Sequence, residues 1–357
     1  MTLKTIAGRS LPRLVIAALV VFAISVPGTT LAKQKRELTV MTQNLYLGSD
    51  FASAVEAETI TEFLFAVATI YGTVQFTEFD ARAGEIADTI EEHRPDIIGL
   101  QEVSIWTSFG PGAPPSQDFL EILLSELEER DLNYYVAGVS NNAEIGPLPQ
   151  LFQCDAFLAC IAILNDRDVI LVNADNEDLE ITDSASGRYV TQLVLPTAGG
   201  PLSFDRGWTY IDGTSEGKKF RFVNTHLETA VAPPVQEAQA QEFLMGPANT
   251  GGAVIAVGDF NSAADGSGTS TYADLTTDFF KDAWDNNPDD AGFTCCQNPT
   301  LTNVPSELAS RFDLVLTMGA ARAQQAEIVG DVPFFQGTTP PFWSSDHAGV
   351  IAEIRIH

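Results

Sequence analysis

The chain has 357 residues, and 48 acidic against 19 basic side chains give it a net charge of −29 at pH 7. Hydrophobic residues make up 45% of it, as in an ordinary globular protein. So negative a protein repels polyanions unless bound cations or a local basic patch offset the charge. The composition therefore argues against tight nonspecific binding of nucleic acid, and it is compatible with binding of divalent cations.

The first 32 residues have the pattern of a secretory signal peptide. A stretch with three basic residues precedes an unbroken apolar run from Leu14 to Ile24, and Thr30-Leu31-Ala32 supplies small residues at a cleavage point. The run is too short to span a bilayer, although an uncleaved N-terminal anchor is the alternative. Removal of residues 1–32 leaves 16 basic and 48 acidic residues, a net charge of −32. We expect a secreted or periplasmic protein.

The four cysteines are Cys154, Cys160, Cys295 and Cys296. In an exported chain they are more typical of disulfides than of metal ligands, and no histidine lies at zinc-site spacing from them. Three pairings are possible. Because a bond between the adjacent Cys295 and Cys296 would be strained, bridges that involve the Cys154–Cys160 loop are favoured.

The apolar patterns predict strands and helices in alternating groups. Strands are predicted over Leu38–Leu45, Ile97–Gln101, Val169–Val172, Tyr189–Leu195, Trp208–Asp212, Phe220–Thr225, Ala253–Val257, Arg311–Leu316 and Val350–Ile356. Helices are predicted over Ile60–Tyr71, Ala81–His93, Ser116–Arg130 and Val235–Met245, and surface loops over Gly110–Pro115 and Asn141–Pro149. This order predicts a layered α/β sandwich. Because no linker-like tract interrupts it, residues 33–357 are predicted to be one domain.

The most informative motif is Gly258-Asp259-Phe260-Asn261, which ends the apolar run Ala253–Val257. Side chains alternate along a strand, so Asp259 and Asn261 are predicted to lie on one face. A carboxylate beside a carboxamide is suited to a metal-bound phosphate. The alternative is a strand that runs into an Asp-rich turn, which is common for a Gly-Asp pair.

Further polar groups end or open apolar strands in the same way. They are Asn44, Glu102, His226 after Thr225, Asp313 in Arg311-Phe312-Asp313, and Asp346-His347. Each alone is ordinary, since a strand-end Asn is usually a turn former and a lone histidine is more often structural. Together they indicate metal-assisted phosphoester hydrolysis. A hard cation prefers oxygen ligands, and Glu102 with Asp346 or Asp259 can supply them.

With these motifs in this order, the chain resembles secreted, bacterial-type members of the endonuclease/exonuclease/phosphatase superfamily, which is deoxyribonuclease I-like. The resemblance runs from Leu38 to the C-terminus through Asn, Gln-Glu, Thr-His, Gly-Asp-Phe-Asn, Arg-x-Asp and Ser-Asp-His. It implies a four-layer α/β/β/α sandwich and a Mg²⁺ cofactor, with Mn²⁺ or Ca²⁺ as alternatives. It also implies that Glu102 is the principal metal ligand, with Asp346 and Asn44 beside it and Asn44 near the phosphate as well.

The resemblance also implies catalytic roles. Asp259 corresponds to the residue that orients or deprotonates the attacking water, and Asn261 to one that contacts phosphate. His347 corresponds to the histidine near the scissile phosphate, with Asp313 as its orienting partner. His226 corresponds to a second histidine that contacts phosphate or acts as general acid.

Two places depart from the pattern of relatives. Where some relatives have a tyrosine before the central strand, this chain reads Asn165-Asp166-Arg167-Asp168. Arg167 is predicted to meet the substrate phosphate, and an ion pair with Asp166 or Asp168 is the alternative. Leu45-Tyr46-Leu47-Gly48 precedes a long helical segment that either forms a pocket wall or only packs.

The function these features favour is a secreted, divalent-metal-dependent phosphodiester hydrolase, with a nuclease as the first substrate class. A sphingomyelinase-like phospholipase C is the alternative, for which Pro340-Pro341-Phe342-Trp343 is a weak membrane-contacting candidate. From a different class, a non-catalytic secreted binding protein could use the same fold. The expected partner is a phosphodiester, either nucleic acid or a phospholipid headgroup. No stable protein partner is implied, and a monomer is expected.

Overall fold

Two β-sheets packed face to face form the centre of the computed structural model, which describes residues 37–150, 160–334 and 342–357. The predicted signal peptide and Cys154 lie outside these residues. The strands are β1 (Leu38–Asn44), β2 (Ile97–Gln101), β3 (Ile105–Phe109), β4 (Gln117–Asp118), β5 (Tyr134–Gln150), β6 (Cys160–Asn173), β7 (Leu179–Arg188), β8 (Val194–Thr197), β9 (Gly200–Ser203), β10 (Gly207–Ser215), β11 (Lys218–His226), β12 (Ala253–Asp259), β13 (Lys281–Asp282), β14 (Asp313–Met318), β15 (Ala321–Val329) and β16 (Gly349–Ile356).

The first sheet has the order β15-β16-β1-β2-β6-β3-β4, with β5 also paired to β6. The second has the order β13-β14-β12-β11-β10-β7, and β8 and β9 form a separate hairpin. The helices are α1 (Ala52–Glu56), α2 (Ile60–Phe76), α3 (Phe79–His93), α4 (Phe119–Glu129), α5 (Pro233–Met245) and α6 (Thr271–Thr276), with a 3₁₀ turn over Ala283–Asn286.

Strand alternation builds three apolar cores. In β1, Val40 packs between the sheets, and the next residue, Met41, packs with the side chains of α2, α3 and α4. In β12, Ile255 packs between the sheets, while Val254 faces a third core that includes residues of α5 and α6. The result is the predicted four-layer α/β/β/α sandwich. Residues 36–357 form one compact unit.

Tight packing between the sheets requires a small residue in β2. A Cβ added to Gly99 would lie 2.5 Å from Val257 Cγ2 and 2.9 Å from Asn224 Oδ1. The nearby Gln101 donates a hydrogen bond to Asn224 Oδ1 across the sheets at 2.6 Å. Gly99 therefore lets the sheets approach just below the ends of β1 and β2.

Among the described helices, none by itself is long and apolar enough to cross a membrane. The helices α2 and α3 together have the length and apolar composition of a membrane span, but a bend of 48° separates them.

Two predicted elements are wrong. The segment Asn141–Pro149 is not a surface loop but part of β5, which pairs with β6 through three register shifts. Glycine, proline and polar residues gave it a loop-like composition, while the long partner strand holds it in the sheet. The predicted strand Tyr189–Leu195 is mostly irregular, since only Val194–Thr197 is a strand.

The cysteine expectation also needs correction, because Cys295 and Cys296 are bonded to each other. Their peptide bond is cis, and their Cα atoms lie 3.1 Å apart. Cys160 is disulfide-bonded as well.

Candidate active site

The polar residues predicted to form a site meet at one end of the space between the two sheets, and most of them are buried. Each continues the row of apolar side chains that its strand places between the sheets. Thus Asn44 follows Val40 by four residues in β1, His226 follows Phe222 by four in β11, and Asp259 follows Val257 by two in β12. Alternation explains why all three side chains face the same space.

Antiparallel pairing brings two more side chains to this edge from the beginnings of strands. Asp313 opens β14 and lies opposite Asp259, the last residue of β12. Gly207 opens β10 and lies opposite His226, the last residue of β11, so that Arg206 directly precedes this pair. Both ends of strands therefore contribute to the site.

The turn after β12 depends on Gly258. Its φ is +146°, and a Cβ there would lie 1.9 Å from the carbonyl oxygen of Thr225. The turn then returns onto itself, since the Asn261 backbone N–H donates to Asp259 Oδ1 at 2.8 Å. Asn261 has a left-handed φ of +50°, which costs free energy in a non-glycine residue and is typical of functional sites.

His347 and Asp313 form a buried pair next to Asp259. His347 Nδ1 lies 2.7 Å from Asp313 Oδ2, and its Nε2 lies 3.8 Å from Asp259 Oδ2. Burial by itself lowers the pKa of His347, but the carboxylates of Asp313 and Asp259 outweigh it and hold the pKa well above the usual value. Burial raises the pKa of Asp259 to about 6, with His347 opposing. A protonated imidazole and a carboxylate that titrates near neutral pH thus lie side by side.

His226 has the opposite electrostatic environment. Arg206 Nη1 lies 3.1 Å from both of its ring nitrogens, and Asn261 Nδ2 lies 3.1 Å from its Nε2. Burial and the positive charges of Arg206 and His347 hold the pKa of His226 well below the usual value. The neutral ring suits contact with phosphate better than the general-acid role that was its alternative.

Asn44 links this cluster to the segments that carry two further carboxylates, Glu102 and Asp346. Its Nδ2 donates to Asp259 Oδ2 at 3.2 Å, while its Oδ1 accepts the Tyr46 backbone N–H at 2.9 Å. Ser345 Oγ donates to the Asn44 carbonyl at 2.7 Å, which holds the segment that carries Asp346 against the end of β1. Asp346 and Glu102 line one cavity.

The residues around that cavity fit a hard divalent cation. Glu102 Oε2 accepts the Leu47 N–H at 2.7 Å, and Glu102 has a left-handed φ of +55°. Burial, reinforced by the Glu102 carboxylate, raises the pKa of Asp346 to about 7. A buried oxygen of Asp166, in the same cavity, has no hydrogen-bond partner among the described residues. Carboxylate oxygens gathered in this way are the ligand set of Mg²⁺, Mn²⁺ or Ca²⁺.

The acidic and histidine side chains whose ligand atoms lie close enough to share one ion, among the described residues, are those of Asp259, Asp313 and His347. Because His347 and Asp313 are already hydrogen-bonded to each other, this group is suited to proton handling. Cys295 and Cys296 also lie near His347, but their disulfide leaves no thiolate to bind a metal.

Arg167 is not brought to the cluster, contrary to the sequence prediction. Alternation in β6 turns it away from Asp166, and its guanidinium donates to the Val103 carbonyl at 2.9 Å and to Asp118 Oδ1 at 2.5 Å. It is therefore in a partly buried ion pair, as the alternative predicted, but with Asp118 in place of Asp166 or Asp168.

Sequence reasoning missed Arg206, Asp166 and Asp168. Burial and Glu102 raise the pKa of Asp166 to about 7, with Arg206 opposing, and burial with Asp166 raises that of Asp168 strongly. Asp168 accepts a hydrogen bond from Asn142 at 2.8 Å. Strand alternation could have indicated the two aspartates. They lie four and two residues before Ile170, so all three share one strand face, and Ile170 packs between the sheets.

Arg82 anchors the loops that carry the metal-side residues. It is 1% exposed, and its guanidinium donates to the carbonyls of Leu45, Tyr46, Thr77 and Ser344 at 2.5 to 3.1 Å. The segment after Asn44 therefore packs on Arg82. It also forms part of the wall of the cavity of Glu102 and Asp346, since Tyr46 and Leu47 line that cavity.

One protein family matches most of the chain. The model of the Endonuclease/Exonuclease/phosphatase family matches residues 41–347, and the chain belongs to that family. A search of curated proteins found no significant match.

Solved structures of the same fold are distant in sequence. A family protein from Leptotrichia buccalis C-1013-b is 16% identical, with a TM-score of 0.56 over 89% of this chain and 100% of that one. A humanized Danio rerio TDP2 is 14% identical, with a TM-score of 0.51 over 89% and 99%. The mannosyl-6-phosphatase Bt3783 of Bacteroides thetaiotaomicron VPI-5482 is 15% identical, with a TM-score of 0.52 over 89% and 100%. At these identities the likeness shows the fold alone.

Proposed function

We propose that the protein is an exported, divalent-metal-dependent phosphodiester hydrolase. The observation that carries the proposal is the meeting of a near-neutral carboxylate, Asp259, with the His347–Asp313 pair and with His226–Arg206, beside the carboxylates of Glu102 and Asp346. Phosphoric ester hydrolysis needs a base for water, positive charge for the phosphate and a cation site, and this arrangement offers each.

The residues divide into two groups. Glu102 and Asp346, with Asn44, would hold the metal ion, which when bound neutralises phosphate charge and lowers the pKa of a coordinated water. Asp259 accepts a proton from the attacking water or orients it, since its raised pKa suits general-base catalysis at neutral pH. His347 and Arg206 donate to the phosphate oxygens as charge develops there. Asn261, whose Nδ2 donates to the Leu227 carbonyl and contacts His226 Nε2, holds His226 against the phosphate. His226 contacts the phosphate as a neutral ring.

The number of cations favours diesters over monoesters. Among the described residues that line this cavity, Arg206 is the only arginine or lysine. Five carboxylates line the same cavity, those of Asp50, Glu102, Asp166, Glu228 and Asp346. A dianionic terminal phosphate would need more positive charge than a monoanionic diester. The same count weighs against a nucleic-acid polyanion, so the nuclease assignment stays a prediction to be tested beside other diesters.

The phospholipase alternative has lost one of its arguments. Phe342 and Trp343 are 4% and 2% exposed, and Trp343 Nε1 donates to the Asn303 carbonyl at 3.0 Å. Both side chains are packed inside the protein and cannot insert into a membrane from this position.

A substrate panel tests the proposal. Purified protein is assayed with Mg²⁺, Mn²⁺ or Ca²⁺ on DNA, RNA, sphingomyelin and small phosphate mono- and diesters, with Asp259→Asn as the matched inactive variant. Hydrolysis of at least one diester, lost in the variant and after EDTA, is expected. A well-folded protein that cleaves none of them and still binds a diester would instead support a non-catalytic binding protein. N-terminal sequencing of exported protein tests cleavage after Ala32.

A further inference from the structure

The cavity beside Glu102 and Asp346 has one wall that the chemistry above does not use. Its volume is about 340 Å³, within the range of small-molecule sites. Apolar side chains form this wall, which we call the apolar wall: Phe51, Val55, Leu193, Leu195 and Phe204. Val231 also lines the cavity although it is 79% exposed.

The apolar wall is built from two elements that contact each other. Phe51 is the N-cap of α1, and its ring meets that of Phe204 edge-on with centroids 5.0 Å apart. Leu195 lies in β8, which belongs to the hairpin outside the two main sheets and contacts α1. The apolar wall therefore joins Phe51, which also packs in the core on the helix side of the first sheet, to a hairpin outside the two main sheets.

Hydrogen bonds tie this wall to the phosphate side of the site. Gln192 accepts the Arg206 N–H and donates to the Arg206 carbonyl, both at 2.8 Å. Ser203 Oγ donates to the Leu193 carbonyl at 3.1 Å. The hairpin and Arg206 are thus held together, and the wall lies at a set position relative to the groups that would hold a phosphate.

We propose that the apolar wall binds an uncharged, apolar ester group of the substrate, attached to the phosphate that the catalytic residues hold. This inference rests on the proposed phosphodiesterase function. The apolar wall lines the same cavity as Glu102, Arg206 and Asp346. A group that occupies it would therefore be part of the substrate that these residues bind. The five carboxylates of the cavity outnumber Arg206 and disfavour a second anionic group there. Apolar side chains gain free energy by covering apolar surface.

Strand alternation in β8 supplies a matched pair of variants. Leu195 lines the cavity, whereas its neighbour Val194 does not and is 58% exposed. Leu195→Asn and Val194→Asn make the same kind of change on the same strand, one inside the cavity and one outside it. A difference between them therefore reports on the cavity and not on the stability of the hairpin.

The first test uses p-nitrophenyl phosphodiesters whose second ester group is methyl, butyl or hexyl. We expect kcat/KM to rise with length, by up to about fourfold for each methylene that is buried. Leu195→Asn should flatten the series, and Val194→Asn should leave it unchanged. A hexyl arm that ends in a carboxylate should react at least about tenfold more slowly than plain hexyl. Equal rates for all three alkyl arms would overturn the inference while leaving the phosphodiesterase proposal intact.

The second test does not require turnover. Methylphosphonic acid monoesters carry one negative charge, as a phosphodiester does, and are stable to hydrolysis. By calorimetry, the hexyl monoester should bind at least about tenfold more tightly than the methyl one, with a more negative heat-capacity change. Equal affinities would refute the apolar subsite even if the protein hydrolysed nothing, and a difference retained in Leu195→Asn would place the binding elsewhere.

Discussion

The Nδ1 of His347 lies 2.7 Å from Oδ2 of Asp313, and neither side chain is more than 7% exposed. The carboxylate holds the imidazole in one orientation, with Nε2 directed towards Asp259. It also stabilises the charged ring in a position where burial alone would have neutralised it. Asp313 therefore acts through His347, as a positioning residue.

Replacing Asp313 by Asn should remove this support and keep the side-chain shape. We expect kcat to fall by about 10² to 10⁴, because the imidazolium that we propose to contact the phosphate is lost. Stability should fall as well, because a buried charge loses its partner, so kcat is compared well below the thermal transition of the variant. Steady-state kinetics and calorimetric melting on the same preparation measure both quantities. A loss of activity that merely followed unfolding would show that the pair is structural.

The pKa values of His347 and His226 should be shifted in opposite directions from the ordinary histidine value of about 6.5. In ¹H–¹³C spectra of the imidazoles, His347 should stay protonated above that pH because of Asp313 and Asp259. His226 should stay neutral below it because of burial and Arg206. Spectra of His226→Gln and His347→Gln assign the signals. Coincident titrations near 6.5 would contradict the described environment.

These shifts also set the sign of each contribution to stability. His347 has a raised pKa, so its stabilisation is complete below about pH 6.5 and disappears as the pH rises through its folded-state value. His226 has a lowered pKa, so stability falls as the pH drops from about 6.5 towards its folded-state value. His226→Gln should therefore lose less stability on acidification than the parent, as measured by urea unfolding at a series of pH values.

The sequence predicted most of the sandwich because apolar periodicity reports directly on what packs between layers. Ile97–Gln101 was predicted with its exact bounds, and three of the four predicted helices lie within observed ones. The fourth, Ser116–Arg130, extends past both ends of α4 and includes β4. β5 was missed because its polar and glycine residues are held by pairing with β6, which no local pattern shows. Pairing over long sequence distances was the missing information.

The site was predicted incompletely for a related reason. The prediction considered residues that follow apolar strands, and parallel pairing of β1 with β2 and of β11 with β12 brings such ends together. Arg206 precedes its strand and reaches the site only because β10 runs antiparallel to β11. Arg167 was predicted as a site residue because of its charge. Strand alternation from Ile170 and Val172, which pack between the sheets, places its side chain on the opposite face.

Loss of one metal-side carboxylate should weaken cation binding before it affects folding. Glu102→Gln removes a charge from the cavity, and we expect Mg²⁺ or Mn²⁺ affinity to fall roughly tenfold or more because hard cations prefer charged oxygen ligands. Activity should require added metal and disappear with EDTA. Calorimetric titration of the metal measures the affinity, with Asp265→Asn, a fully exposed aspartate, as control. Full activity after exhaustive chelation would rule out the metal-dependent mechanism.

Arg82 should contribute to stability far more than a surface arginine. Arg82→Met leaves several buried carbonyls without their donor, and we expect a loss of about 3 kcal/mol or more. Arg355→Met breaks an ion pair with Glu37 whose side chains are 41% and 22% exposed, and it should cost less than about 1 kcal/mol. Urea unfolding compares the two, and similar losses would show that Arg82 does not anchor the loops.

If DNA is a substrate, the acidic protein should show an unusual salt dependence. A net charge of −29 repels the phosphate backbone, so added salt should first raise the cleavage rate by screening that repulsion. At higher concentration, salt should lower the rate by competing for the phosphate contacts of Arg206 and His347. A basic nuclease would instead weaken monotonically, because each phosphate contact releases counterions that salt opposes.

Plasmid nicking measured from about 10 mM to 500 mM NaCl, at constant Mg²⁺, distinguishes the two curves; over that range the screening length shrinks from about 30 Å to less than 8 Å. A hexyl p-nitrophenyl phosphodiester, which carries a single charge, serves as the reference substrate and should respond little to salt. A rate maximum for DNA alone would support a nuclease that works against its own charge. Absence of nicking at every salt concentration, with the small diester still cleaved, would remove nucleic acid from the substrates and leave the apolar diesters.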